Sequence, residues 1–210
     1  MMRRVGSLLG IGLLLLQATA WGFSASYDQR VTHGDEVIDC TVHLQDTFVR
    51  IESVAEGQKI IVLKNQQGMF NYLPEAGFAM RLSDIEPQYH PMDQMDANFL
   101  GAHQATQLGQ ETVHGYPCDL YQFQDPGQGT ITAWVWQGHQ FPVKVKVESS
   151  TGTTVAELSN VRLGVSFPDS EFALPAGVEV MDGSLMGVGA GSNAHDANLQ
   201  QLMDGVQGEE

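Results

Sequence analysis

ITAWVWQGHQFPVKVKVESSTGTTVAELSNVRLGVSFPDSEFALPAGVEVMD, residues Ile131–Asp182, is the stretch that decides the fold. Val143, Val145 and Val147 alternate with Lys144, Lys146 and Glu148, the period-two pattern of a strand with one face on a core and the other in water. Trp134 and Trp136 share one face of the strand before it. Gln137-Gly138 and Ser150-Thr151-Gly152 supply turns on either side, so short hairpins join antiparallel strands. After Val161 and Leu163 the chain meets Pro168 and Pro175. Proline has no N–H to give a ladder, and the spacing predicts that the sheet ends there.

Upstream, Phe23 to Leu82 is a series of short alternating runs separated by turn residues such as His33-Gly34-Asp35, Gln45-Asp46 and Glu75-Ala76-Gly77. Six strands are expected, recurring every ten or so residues as in an antiparallel meander. Between Ser83 and Thr112 the pattern changes: Pro87 and Pro91 interrupt it, and Met92, Met95, Phe99 and Leu100 fall at helical spacing. A short helix over about 92–100 is predicted, placed to cover the apolar concave face of the sheet. Strands resume at Val113 and continue through Phe123. The expected fold is mainly β, a long curved antiparallel sheet of about ten or eleven strands forming an open half-barrel.

The hairpin carrying Gly138, Pro142, Val143 and Lys144, the strand ending near Asn160-Val161, and the run Pro168-Asp169-Ser170 through Phe172, Leu174, Pro175, Ala176, Gly177 and Val178 together resemble the end of the LolA-like superfamily. That group includes periplasmic lipoprotein carriers and related envelope proteins. The resemblance implies an open half-barrel around an apolar groove. It also implies a lipid or a lipoprotein acyl chain as partner, or an envelope protein, since some relatives use the fold to bind protein. Its motifs are structural and speak for fold before activity. The carriers' long helix before the first strand has no counterpart in this strand pattern, which starts near Phe23.

Arg3 and Arg4, an uncharged run from Val5 to Leu16, and Ala18-Thr19-Ala20 are read as a signal peptide over residues 1–20, cleaved after Ala20. The apolar run is shorter than the roughly twenty residues a membrane span needs, so stable membrane insertion of the mature chain is not expected. Cleavage would remove two arginines and no acidic residue, taking the formal charge from -15 to -17. Such a chain is repelled by nucleic-acid phosphates and by anionic membrane surfaces, which disfavours both as main partners, and no nucleic acid is expected. Residues 21–182 are expected to form one domain, with 42% hydrophobic residues in the whole chain, ordinary for a globular protein. Residues 183–210, with Gly183, Gly187, Gly189 and Gly191 and ending Glu209-Glu210, are read as a flexible acidic tail.

For chemistry the chain offers little. Cys40 and Cys118, in a protein bound for an oxidising compartment, are expected to form a structural disulfide; two unpaired thiols packed as small hydrophobes are the alternative. The histidines are scattered singly, and the one local set with mixed ligands is His90, Met92, Asp93, Met95 and Asp96, which reads more simply as the apolar and polar sides of a helix. Neither a metal nor a cofactor is expected. No G-x-S-x-G occurs, and Gly187-Val188-Gly189-Ala190-Gly191 lacks a lysine, so neither acyl transfer nor phosphate binding is signalled. A non-catalytic function is expected. Aromatic and methionine side chains recur on nearly every strand, and Phe48, Phe70, Tyr72, Met80, Met95, Phe99, Trp134 and Trp136 are the candidates for lining a groove that takes acyl chains.

Overall fold

The computed structural model describes residues 22–55, 57–82 and 95–182. The signal peptide predicted over 1–20, the tail over 183–210, and His90, Met92 and Asp93 of the helical stretch lie outside them. Six strands come first: β1 Ser24–His33, β2 Glu36–Gln45, β3 Phe48–Ala55, β4 Gln58–Asn65, β5 Gly68–Leu73 and β6 Phe78–Leu82. The helix α1, Ala97–Ala102, is followed by β7 Thr106–Val113, β8 Tyr116–Asp125, β9 Gly129–Trp136, β10 Phe141–Ser149, β11 Gly152–Leu163 and β12 Glu179–Asp182. All twelve strands form one sheet in the order β12-β6-β5-β4-β3-β2-β1-β11-β10-β9-β8-β7. The sheet is open and curved, and α1 is the one α-helix among the described residues.

Alternation sorts the side chains as the sequence predicts. Ala25, Tyr27, Val42, Leu44, Ile51, Val145 and Leu158 share one face, here the inner face, and all are at most 3% exposed. The turns are set by residues that tolerate a left-handed backbone. At Gly129, φ is +100° and an added Cβ would lie 2.4 Å from the Glu148 carbonyl oxygen, so only glycine lets β9 start beside β10. The ladder between β10 and β11 runs only from Lys144–Glu157 to Ser149–Gly152, with a bulge between Pro142 and Lys144 on the β9 side. Where the two strands part, the Val161 N–H donates to the Tyr116 hydroxyl at 3.0 Å.

Three expectations need correction. The sheet does not end at the prolines. Residues 164–178 cross its back face as a strap, with a 3-10 turn at Asp169–Phe172, and the chain re-enters as β12, parallel to β6. Proline stops a ladder locally but does not stop a later segment from pairing. The helix starts late, at Ala97, because Asp96 caps it: its carboxylate accepts the Phe99 N–H at 2.8 Å. The Cys40–Cys118 disulfide is not formed, and both thiols are free and buried. Cys40 on β2 and Cys118 on β8 are five strand steps apart, roughly 24 Å along the sheet, whereas a disulfide needs Cα atoms within about 7 Å. Burial pushes the Cys40 thiol up to about 12 and raises that of Cys118, so both stay protonated as small apolar groups.

Candidate functional site

The cross-strand register defines one continuous row on the inner face: Tyr27, Val42, Ile51, Val62, Asn71, Met80 and Met181, each directly opposite the next. Tyr27, Val42 and Ile51 are sealed. From Val62 outward every member is only half-buried. The flanking rows behave alike, with Ile60, Met69, Leu73, Phe78 and Leu82 half-buried on the same face. Strands β4, β5, β6 and β12 thus carry an apolar shelf continuous with the core and partly open. Lys64 stands at one end of it, between Val49 and Met69. Glu179, paired with Phe78, stands exposed at the other.

The other half of the inner face is covered by α1. Met95 is buried and its N–H donates to the Gln140 carbonyl at 2.8 Å. The Phe99 ring meets Phe123 edge-on at 5.7 Å and stacks on His103 at 4.1 Å. The back face of β2–β5 is closed by the strap. Phe172 is buried against Phe48 and Phe167. Ile61, Leu63 and Phe70 form a second apolar cluster with Tyr72 and Leu174 packed on it. Polar groups fasten the strap: His43 Nδ1 lies 2.8 Å from Glu171 Oε1, Arg50 donates to the Glu171 carbonyl at 3.1 Å, and Asn65 donates to the Phe172 carbonyl at 2.8 Å.

The eight predicted groove residues therefore do not line one surface. Phe48, Phe70 and Tyr72 face the strap; Met80 lies on the shelf; Met95 and Phe99 sit with α1. Trp134 is only 8% exposed, with its indole N–H on Glu111 at 2.6 Å and the Lys144 ammonium over its ring. Trp136 lies between Tyr116 and His139. Sequence reasoning missed Val62, Met69, Asn71, Leu73 and Met181, and the signal that could have found them is strand parity: on β5 the even-numbered aromatics share a face opposite the odd-numbered positions.

A separate hollow of about 880 Å³ opens on the back face near Arg30, Asp39, Thr41, Glu52, Lys59 and Glu157. Most of its charges are paired, Arg30–Asp39 at 2.7 Å, Lys59–Glu52 at 2.6 Å and Lys144–Glu157 at 2.8 Å, while Asp28 accepts from the Thr41 hydroxyl and the Asn160 amide. Hydrogen bonding to Arg30 holds the Asp39 carboxyl below its ordinary value. Burial raises that of Glu52, but hydrogen bonds from Lys59 and Arg50 outweigh it and the net shift is downward. No group of three or more metal-binding side chains occurs among the described residues, and no helix among them is long and apolar enough to cross a membrane.

No protein-family model matches the chain, and no curated protein matches it in sequence. Solved structures do. An uncharacterised conserved protein from Thermus thermophilus matches with a TM-score of 0.53 at 10% identity, over 78% of this chain and 92% of that one. MucB in its complex with MucA from Pseudomonas aeruginosa matches with a TM-score of 0.50 at 11% identity, over 74% of this chain. The match spans 57% of the length of that chain. A LolA superfamily protein from Nitrosomonas europaea is also matched, with a TM-score of 0.36 at 14% identity, over 75% of this chain and 93% of that one. At these identities the likeness is one of fold alone, and the long, open, curved sheet with a short helix that the sequence pattern predicts is the architecture observed among the described residues.

Proposed function

We propose that this is a non-catalytic binding or carrier protein of the periplasm, whose inner face takes an apolar ligand, a lipid or the acyl chain of a lipoprotein. One observation carries the reading: the row from Tyr27 to Met181 passes from sealed core to half-exposed shelf without leaving the apolar face. An acyl chain laid on that shelf extends the core, and each methylene it removes from water contributes about 0.8 kcal/mol. Flexible methionines at 69, 80 and 181 suit a surface that adapts to a chain rather than fixing one shape. The export signal read at residues 1–20 supports a periplasmic location.

Native mass spectrometry of the mature protein recovered from the periplasm, followed by organic extraction, tests the proposal. A stoichiometric lipid or acyl adduct that is lost in Met80→Lys supports it; a clean apo mass under gentle conditions overturns it.

A second reading, an envelope protein-binding module, is favoured by the match to MucB, which was solved together with MucA. Strand β7 ends the sheet with seven of its eight residues exposed, including Leu108 at 52%, and an extended segment of a partner could pair with it. A photocrosslinker at position 108 that captures one envelope protein stoichiometrically, together with an apo mass, would move the assignment to this reading.

A further inference from the structure

Asn71 sits at the centre of the apolar shelf, opposite Val62 on one side and Met80 on the other, with Met69 and Leu73 two residues away on the same face. Its Oδ1 is buried and has no hydrogen-bond partner among the described residues. A buried carbonyl oxygen left unpaired costs the fold its desolvation, whereas a leucine of similar shape at this position would cost nothing of the kind. Two other buried polar atoms lack partners among the described residues, Tyr27 Oη and Gln29 Nε2; both residues are 3% exposed or less, and Gln29 borders the separate hollow rather than the shelf. Asn71 alone of the three stands where the inner face is part-open.

We infer that Asn71 selects the ligand of the shelf: an amphiphile whose alkyl chain carries an O–H or N–H donor, which the Asn71 Oδ1 accepts. This rests on the reading that the inner face takes an apolar chain, and it narrows that class. A plain hydrocarbon lying over Asn71 would leave the oxygen unpaired. A chain with a hydroxyl or an amide N–H would pair it, and a hydrogen bond made in a site closed to water discriminates strongly against the analogue that lacks the donor. The cost of the unpaired oxygen to the free protein is then the counterpart of selectivity in the complex.

The test uses the mature full-length protein and two probes of equal chain length, dodecan-1-ol and its methyl ether, each displacing the dye N-phenyl-1-naphthylamine. Wild type should bind the alcohol about tenfold more tightly than the ether, as one hydrogen bond in place of an unpaired group implies. Asn71→Leu should bind both equally, with ether binding no weaker than in wild type, and should melt at a higher temperature. A purely structural role for Asn71 would change the melting temperature and leave the preference untouched, so a preference that persists in Asn71→Leu overturns the inference. Equal binding of the two probes by wild type overturns it even if the variant does not fold. If wild type binds neither dye nor probes, the groove reading itself falls, and the inference with it.

Discussion

The two faces of β4–β6 present the same kind of apolar side chain to opposite fates. On the back face Ile61, Leu63, Phe70 and Ala79 are at most 4% exposed, because the chain returns as the strap, with Leu174 seated on the cluster and Phe172 buried against Phe48. On the inner face Val62, Met69, Leu73, Phe78 and Met80 stay half-buried. Both faces carry aliphatic and aromatic side chains, although Met69, Met80 and Met181 lie on the inner one. What separates them, among the described residues, is that one has a cover tied down by Glu171, Arg50 and Asn65. An apolar surface that a protein covers is core, and one that it leaves part-open is available for binding.

If that contrast is right, mutations on the two faces should differ in kind. Phe172→Ala, which opens the strap, should cost about 3–5 kcal/mol in urea-induced unfolding. A cost below about 1 kcal/mol would mean that the strap is not what seals the back face. Met80→Ala on the inner face should cost only about 1 kcal/mol, because part of that side chain already faces water, yet should weaken dye binding several-fold. Equal stability losses at the two positions would erase the distinction.

The ion pairs of the back face should give a smaller, pH-dependent effect. The Glu52 carboxyl is held below its ordinary value of 4.5, so the folded state binds its proton more weakly than the unfolded chain. Its contribution is fully present above that ordinary value and is lost as pH falls through the lower folded-state value. Glu52→Gln should therefore reduce the loss of stability between pH 6 and pH 3 by under about 1 kcal/mol, since the pair is partly exposed. An unchanged slope would remove Glu52 from the acid response. The cysteines should contribute nothing as a cross-link. Folded protein at pH 8 should leave Ellman's reagent colourless, and denaturation without reductant should release two thiols per chain; finding none would restore the disulfide.

Much of the fold was legible because β-structure writes itself at period two. Val143, Val145 and Val147 declare their strand and its face locally, and turn residues divide the first six strands at the right places. Strand β12 was not legible: Glu179-Val180-Met181-Asp182 is too short to show a period, and its pairing depends on β6 a hundred residues earlier. The site was less legible still. Large aromatics at 48, 70 and 72 attract attention as groove linings, but their parity assigns them to the face the strap covers, and nothing in the sequence announces that a later segment will cover that face. Asn71 reads as an ordinary polar residue in a strand until the register places it between Val62 and Met80.

The strap and its terminal strand also set the order in which the molecule can be assembled. His33 of β1 lies beside Thr154 of β11, and Met80 of β6 beside Met181 of β12, so both borders of the first six strands are closed by segments synthesised much later. A chain extending from its N-terminus forms a six-stranded meander with two unpaired edges and an uncovered back cluster, and must hold that state until residues 152–182 arrive. Sheets dominated by such distant pairings fold on the order of milliseconds to seconds, and bare edges with exposed apolar surface are the features that recruit other chains in that interval. The placement of the last strand thus lengthens the interval in which the half-made sheet is open to other chains.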